Sequence, residues 1–414
     1  MLAGTGANNA TKQSDGQMAS DPSMGTFLIA LPWEPVARGG VNQVVLNLCE
    51  EIRQTGPFIP LILVIDWSAL RLQEYEMEGF RTACIRLRAP RAGSAFLRSF
   101  FTYTLTFPSS LYRWWRLILR YDVRVVNGHF PSLQMMNVAL LRLFGLYRGS
   151  LLLSFHGTDA VTVLAARGME RVLWRWLFRH ADATIVCSEA IGDRLKSFYP
   201  SLKVVTVRNG ISPERLLVEK NSVPDNRSPG ERPFVLNIGA FLHLKGQDIL
   251  IRAFARIAPE FPELDLVIVG NRGPAQVELQ SLVTALELQG RVRFHVDVPH
   301  PEVLAFLEKA RVFAFPSRSE GLPIAVLEAG FLGIPVVASR VGGIPEIINS
   351  AKVGILVEAD DDRALELALR RLLRDADQRA LLGKCLQQRV IAEFTWNRAW
   401  QQYLAISKVR SSAP

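Results

Sequence analysis

Short apolar runs recur along this chain, each closed by a polar or glycine-containing turn and followed by a segment whose apolar positions return at helical spacing. Continuous apolar runs predict strands buried on both faces, and their alternation with helices predicts doubly wound parallel sheets. The first is FLIALP from Phe27, followed by a turn containing Gly39 and Gly40 and then an amphipathic helix. FIPLILVID (58–66), FRTACIRL (80–87), VRVVNGHFP (123–131) and SLLLSFHGTDA (150–160) continue the series. A strand and helix over 183–198 and VVTVRNGIS (204–212) complete a first α/β unit.

Residues 213–232 break the pattern, being polar and rich in proline and serine, which predicts a linker. A second series opens at Phe234 and continues through LDLVIVG (264–270), RVRFHVDV (291–298) and VFAFPS (312–317). VGILVE predicts a last edge strand, and a basic helix follows over 362–374. The division expected is a loose tail over 1–23, a first domain over 24–212, the linker, and a second domain over 233–393. An amphipathic helix carrying Trp396 and Trp400 lies in the closing segment, 394–414.

Residues 94–120 mix aromatic, aliphatic and arginine side chains at helical spacing, with Pro108 dividing them into two expected helices. Two readings remain open. The helices pack on the sheet while their arginines reach out to water, or they lie on an anionic membrane surface, in which case the acceptor is lipid-linked.

Composition narrows the class. A chain of 414 residues, 49% apolar and 21% charged, is that of a globular protein with two or three domains. The net charge of +9 suits anionic partners, but its arginines are dispersed, with no basic block interleaved with aromatics, so nucleic acid is not expected. Cys49, Cys84, Cys187 and Cys385 stand far apart, which argues against a disulfide framework and a zinc site and for a reducing cytoplasm. The apolar stretch from Leu133 to Phe155 is broken by Arg142 and Arg148, so the protein is expected to be soluble or peripheral at a membrane's inner face.

The chemistry concentrates in PSRSEGLPIAVLEAGFLGIPVVAS, residues 316–339. Leu322 and Pro323 open a helix and Gly333 lies just past its end. The unpaired N–H groups and positive dipole end of such a helix attract an anion, for which phosphate is the natural guest. Glu320 precedes the helix and Glu328 lies in its second turn, a spacing of about 12 Å along a helix axis. That exceeds the roughly 5–9.5 Å of a glycosidase pair, so the two carboxylates are placed to hold different parts of one elongated ligand. Gly342 and Gly343 follow the next strand and allow close backbone approach.

With Glu320 and Glu328 forming an E-x7-E motif, the sequence resembles the retaining glycosyltransferases of family 4, over about residues 26–408. The resemblance implies a GT-B fold, two Rossmann-like doubly wound domains facing a cleft. It gives Glu320 contact with the donor sugar, Glu328 the ribose hydroxyls, and the backbone of Gly321, Leu322 and Ile324 the diphosphate. His156, in HGTD, falls beside the transferred sugar, with His129 a weaker strand-end candidate. Gly39 and Gly40 lie against the donor phosphates, and Lys245 supplies a diphosphate counter-charge. The turn of HVDV presents backbone to the nucleobase, and the terminal helix crosses back onto the first domain. One position departs: Ala240 stands where the family usually has an arginine.

The expected activity is transfer of a sugar from a nucleoside-diphosphate donor to a hydroxyl of a glycan or lipid-linked acceptor, without metal or other cofactor. The catalytic set is Glu320, His156 and Lys245. Two alternatives stand beside it: a nucleotide-sugar epimerase of GT-B fold, and a catalytically weak nucleotide- or glycan-binding homologue, which the Ala240 departure favours.

Overall fold

In the computed structural model the described residues are 24–34, 39–66, 69, 71–88, 90, 96–222 and 232–407. The tail expected over 1–23 lies outside them. The first domain contains β1 (Gly25–Leu31), β2 (Phe58–Ile65), β3 (Gln73–Met77), β4 (Phe80–Ile85), β5 (Val123–His129), β6 (Ser150–Phe155), β7 (Ala183–Val186) and β8 (Val204–Thr206). They form one sheet in the order β3-β4-β2-β1-β5-β6-β7-β8. Every residue of β1 is buried, because it lies mid-sheet with Ile29 opposite Ile62 on one side and Asn127 on the other. That double burial is why its sequence reads as an unbroken apolar run.

The second domain contains β9 (Phe234–Ile238), β10 (Asp265–Gly270), β11 (Val292–Val296), β12 (Val312–Phe315), β13 (Val336–Ser339) and β14 (Ile355–Val357). Their order is β11-β10-β9-β12-β13-β14, and all pairs are parallel. Strand order reverses between β9 and β12 in this sheet and between β1 and β5 in the first. Ligands of such sheets bind outside the carboxyl ends of the strands at the reversal. The GT-B expectation is therefore met in the arrangement that makes a cleft useful.

One strand is not anticipated by the sequence pattern, and two local expectations need correction. QEYEM, polar and half exposed, is an edge strand: β3 pairs antiparallel with β4 through a turn in which Glu78 (φ 51°) and Gly79 (φ 76°) are left-handed. An edge strand facing water carries no apolar run to betray it. The expected linker begins as a helix, Pro213–Asn221, with proline at its first position; residues 223–231 lie outside the described residues. Finally, Phe96–Arg120 is one helix with Pro108 inside it. Proline costs an interior helix about 3 kcal/mol. Here Tyr103 before it and Trp114, Leu117 and Ile118 after it are all buried, so packing on both sides holds one axis.

The chain returns to the first domain at its end. Ile211 and Thr395 form a parallel bridge, and the N–H groups of Ile211 and Trp396 donate to Phe394 and Ile211 carbonyls at 2.9 and 3.1 Å. The terminal helix, Trp396–Ile406, then inserts Trp400, fully buried, against Phe27 and Phe58 with ring centroids 5.4 and 6.3 Å apart. The edge-on geometry is the one aromatic quadrupoles favour.

Candidate functional site

The loop after β12 leads into the helix Ile324–Phe331, preceded by Pro323 in extended conformation and followed by Gly333 at φ 72°. Backbone packs on backbone around this loop. A Cβ on Gly321 would fall 2.0 Å from the His156 carbonyl oxygen, and one on Gly342 (φ 52°) 2.0 Å from that of Glu320. Only glycine permits either approach. The Gly343 N–H donates to the Gly321 carbonyl at 2.7 Å, and the Asn209 amide of the first domain donates to the Leu322 carbonyl at 2.9 Å. The loop is thus pinned from both domains.

A cavity of about 270 Å³ lies in front of it, lined by Gly39 and Gly40 of the first domain and by Lys245, Glu320, Ile324 and Glu328 of the second. Six expected donor contacts therefore meet in one space. Gly321 and Leu322 do not line it: they lie behind, against His156 and with the Leu322 side chain buried. Val298, the last residue of HVDV, lines it, as does Ala240.

Lys245 ends a 3₁₀ turn after β9, and its Nζ lies 2.7 Å from Glu320 Oε1. The Glu320 side chain is 9% exposed, and the Lys245 ammonium offsets the loss of water around it. Lys245 is the only lysine or arginine lining the cavity among the described residues. Arg318, two residues before Glu320, is engaged elsewhere: its guanidinium meets Asp248 in a two-armed pair at 2.9 Å, Asp360 at 2.6 Å and the His243 carbonyl at 2.5 Å. Burial pushes Asp248 up, but the hydrogen bonds of Arg318 and Arg252 outweigh it and hold the carboxyl at about 2. Arg318 therefore fixes the turn that carries Lys245 and does not replace the arginine absent at Ala240.

His156 follows β6 in the first domain and does not line this cavity. Ser154 Oγ donates to Asn127 Oδ1 (2.8 Å), which turns the Asn127 amide N–H toward His129 Nε2 (3.0 Å). His129 then carries its proton on Nδ1 and donates to His156 Nε2 (2.9 Å), leaving the His156 proton on Nδ1, which is buried with no partner among the described residues. Burial pushes His156 down to about 4, and burial with the neighbouring His156 pushes His129 well below the ordinary range. Both imidazoles are neutral at pH 7. Asp159 accepts the N–H groups of His156, Gly157 and Ala160 at 2.8–3.0 Å and so sets the turn that presents His156. Burial raises its carboxyl to about 6, those hydrogen bonds opposing it.

Sequence reasoning missed His300 and Glu219. His300 opens the helix His300–Lys309; its Nε2 is 2.8 Å from Glu328 Oε1 and its Nδ1 2.6 Å from Glu219 Oε2. Its one local signal is its place at a proline-flanked helix start. Among the described residues no group of three or more His, Cys, Asp and Glu side chains is gathered to hold a metal ion, and no helix is long and apolar enough to cross a membrane.

Comparison with known proteins places these features in context. Residues 218–389 match the family model described as "Glycosyl transferases group 1", and residues 38–215 that described as "Glycosyltransferase Family 4". A GDP-mannose-dependent alpha-(1-6)-phosphatidylinositol monomannoside mannosyltransferase of Mycolicibacterium smegmatis is 30% identical over 321 residues, covering 75% of this chain and 82% of that protein. Among solved structures, a sucrose-phosphate synthase of Thermosynechococcus elongatus is similar with a TM-score of 0.72 and 23% identity, over 92% of this chain and 98% of that one. The Anabaena protein HepE, solved with UDP and glucose, is similar with a TM-score of 0.70 and 18% identity, over 92% of this chain and 98% of its own.

Proposed function

Since this chain belongs to the family 4 glycosyltransferases, we propose that it is a retaining enzyme that moves a sugar from a nucleoside-diphosphate donor to a hydroxyl of a glycan or lipid-linked acceptor. The observation that carries the reading is the convergence of Lys245, Glu320, Glu328 and the Gly39–Gly40 turn on one cavity. The ribose hydroxyls donate to Glu328, the sugar lies between Glu320 and His156, and the diphosphate faces Lys245 and the helix start at Ile324. His156 Nδ1–H, left without a partner among the described residues, is a donor for a sugar oxygen.

In the reaction the acceptor oxygen bonds to the anomeric carbon as the bond from that carbon to the diphosphate oxygen breaks. The departing diphosphate lies on the same face and takes the acceptor's proton, so configuration is retained and a nucleoside diphosphate leaves. Lys245 and the helix start act on the charge that grows on the leaving oxygen, and this accelerates reaction only as far as it is stronger there than in the bound donor. No side-chain nucleophile is needed.

The partner surface is the face of Phe96–Arg120 turned to solvent. Leu97, Phe101, Leu105, Tyr112 and Leu119 are exposed, spaced to fall on one stripe, and the helix contains arginines but no Asp or Glu. An apolar stripe flanked by Arg98 and Arg116, with Arg113 held by the Arg86 carbonyl and Arg120 paired with Glu74, suits an anionic membrane at the cytoplasmic face, where a lipid-linked acceptor would be met. The M. smegmatis relative is named for a lipid acceptor and a GDP-mannose donor.

The deciding experiment is calorimetric titration with UDP, GDP, ADP and dTDP, repeated on Glu328→Ala, followed by product analysis with the matching sugar donors. One nucleotide should bind, the variant should lose it, and the product should keep the donor's anomeric configuration. Binding without transfer or hydrolysis under varied acceptors would favour the binding-protein alternative. Sedimentation with vesicles containing phosphatidylglycerol, but not with pure phosphatidylcholine, should be lost in Leu105→Glu.

A further inference from the structure

We infer that His300 is a positioning residue for the nucleotide's ribose, a doubly anchored imidazolium that orients Glu328 and ties it to the helix leading out of the first domain. The inference rests on the reading of Glu328 as the ribose carboxylate. Its basis is a line of side chains across four helices. Arg215 Nη1 reaches Asn47 Oδ1 (3.4 Å) on the helix Gly40–Thr55, whose first residue, Gly40, lines the donor cavity. Arg215 Nε holds Glu219 Oε1 (2.6 Å) one turn along Pro213–Asn221; Glu219 Oε2 faces His300 Nδ1 (2.6 Å), and His300 Nε2 faces Glu328 Oε1 (2.8 Å).

The protonation state follows from this geometry. Both partners are carboxylate oxygens, which accept and do not donate, while a neutral imidazole has one N–H and one lone pair. A neutral ring would set its lone pair against a carboxylate at one end, so the arrangement requires both nitrogens protonated. Burial pulls the ring's affinity for a proton down, but the charge of Glu328 and the hydrogen bonds to both carboxylates outweigh it and hold His300 at about 10. Burial pushes Glu219 up, and the hydrogen bonds of His300 and Arg215 bring it down to about 2. The other charged groups near this line include Glu50, which feels the charge of Arg215, the pair Lys220–Glu308 (2.7 Å), which also joins Pro213–Asn221 to His300–Lys309, and Glu302 on the helix of His300 itself.

The consequence concerns recognition. Glu328 is 6% exposed and has one oxygen committed to His300, which leaves the second oxygen and the remaining lone pairs to accept the ribose 2′- and 3′-hydroxyls. The orientation of that acceptor is set from Pro213–Asn221, so the ribose subsite is correctly formed only when that helix is docked on His300–Lys309.

The test uses the full chain labelled with [15N]histidine, the His300 signal being assigned by its loss in His300→Gln. At pH 8 it should be an imidazolium with two protonated nitrogens; a neutral ring overturns the inference. The nucleotide that binds the wild type among UDP, GDP and ADP is then compared with its 2′-deoxy form. The wild type should prefer the ribonucleotide by roughly tenfold or more, the scale of one hydrogen bond to a charged group. His300→Gln should shrink that preference to a few-fold, whereas an unchanged ratio overturns the role. Glu219→Gln, which removes one anchor and leaves His300 in place, should make nucleotide affinity fall as pH rises from 6 to 9, a window in which the wild type is flat. A Glu219→Gln protein as flat as the wild type also overturns it. If no nucleotide binds the wild type while the ring is an imidazolium, the donor-site reading fails and the ribose role with it, the pair then being a tie between helices.

Discussion

Lys245→Ala tests the donor site where charge matters most. In the unliganded protein the ammonium is already spent on Glu320, 2.7 Å away, with the Phe315 ring 5.8 Å from it. A charged hydrogen bond contributes about 1.5–3 kcal/mol, a factor of roughly 10 to 150. Because a bound diphosphate only takes over a cation that Glu320 held before, the loss in diphosphate affinity should lie near the lower limit, about tenfold. The chemical step should suffer more: removing one preorganised donor to a developing oxyanion costs on the order of 10²–10³ in kcat. With Ala240 at the position of the family's arginine, no arginine or second lysine lines the cavity among the described residues to share the work, and His300, which also lines it, is engaged by Glu219 and Glu328. Titration of the nucleoside diphosphate and of its parent nucleoside, with steady-state turnover beside them, separates these effects. Nucleoside affinity should be unchanged, diphosphate affinity about tenfold weaker and kcat lower by two to three orders of magnitude. Equal losses for nucleoside and diphosphate, or an undiminished kcat, would refute the assignment of Lys245 to the leaving group.

Other perturbations probe the frame around the site. Gly321→Ala puts a Cβ 2.0 Å from the His156 carbonyl and 2.9 Å from Cys187 Sγ, so the two domains must part locally. Overpacking of this kind costs about 1–3 kcal/mol; the variant should melt a few degrees lower and bind nucleotide more weakly, and a melt and titration identical to wild type would contradict the close approach. Trp400→Ala removes a fully buried indole from the joint between the terminal helix and the first domain, at a cost of about 3–5 kcal/mol, measured by urea unfolding. His156→Gln tests the buried neutral imidazole. Burial holds the folded-state value at about 4 against an ordinary 6.5, so as pH falls through that window the unfolded chain takes up a proton that the folded chain refuses. Wild-type stability should therefore fall relative to His156→Gln between pH 6.5 and 4, by up to about 3 kcal/mol, and parallel pH profiles of unfolding free energy would show the ring to be solvated.

Much of this architecture is written in short stretches. A strand buried on both faces must be apolar throughout, as Phe27–Leu31 and Leu61–Ile65 are, and a helix that offers its start to an anion declares itself by Pro323 before and Gly333 after. Those constraints act between neighbours in the chain, so composition and period reveal them. The same logic explains what stayed hidden. The residues of β3 satisfy an edge position, where polar side chains are tolerated, and Pro213–Asn221 has a mostly polar face because only Leu216 is buried. Pro108 carries a local cost that predicts a break, whereas packing on both sides of it keeps one helix.

By itself the sequence determined two doubly wound sheets, a helix start set between two glutamates, and a glycine turn ahead of the first helix. Tertiary structure alone decided what those groups are bonded to. Glu320 meets Lys245 across 75 residues, His129 meets His156 across 27, and Glu219 and Glu328 close on His300 from 81 and 28 residues away. Burial makes a polar group depend on a partner at hydrogen-bond distance. Folding chooses that partner from any strand end or helix start brought to the cleft, and no spacing along the chain records the choice.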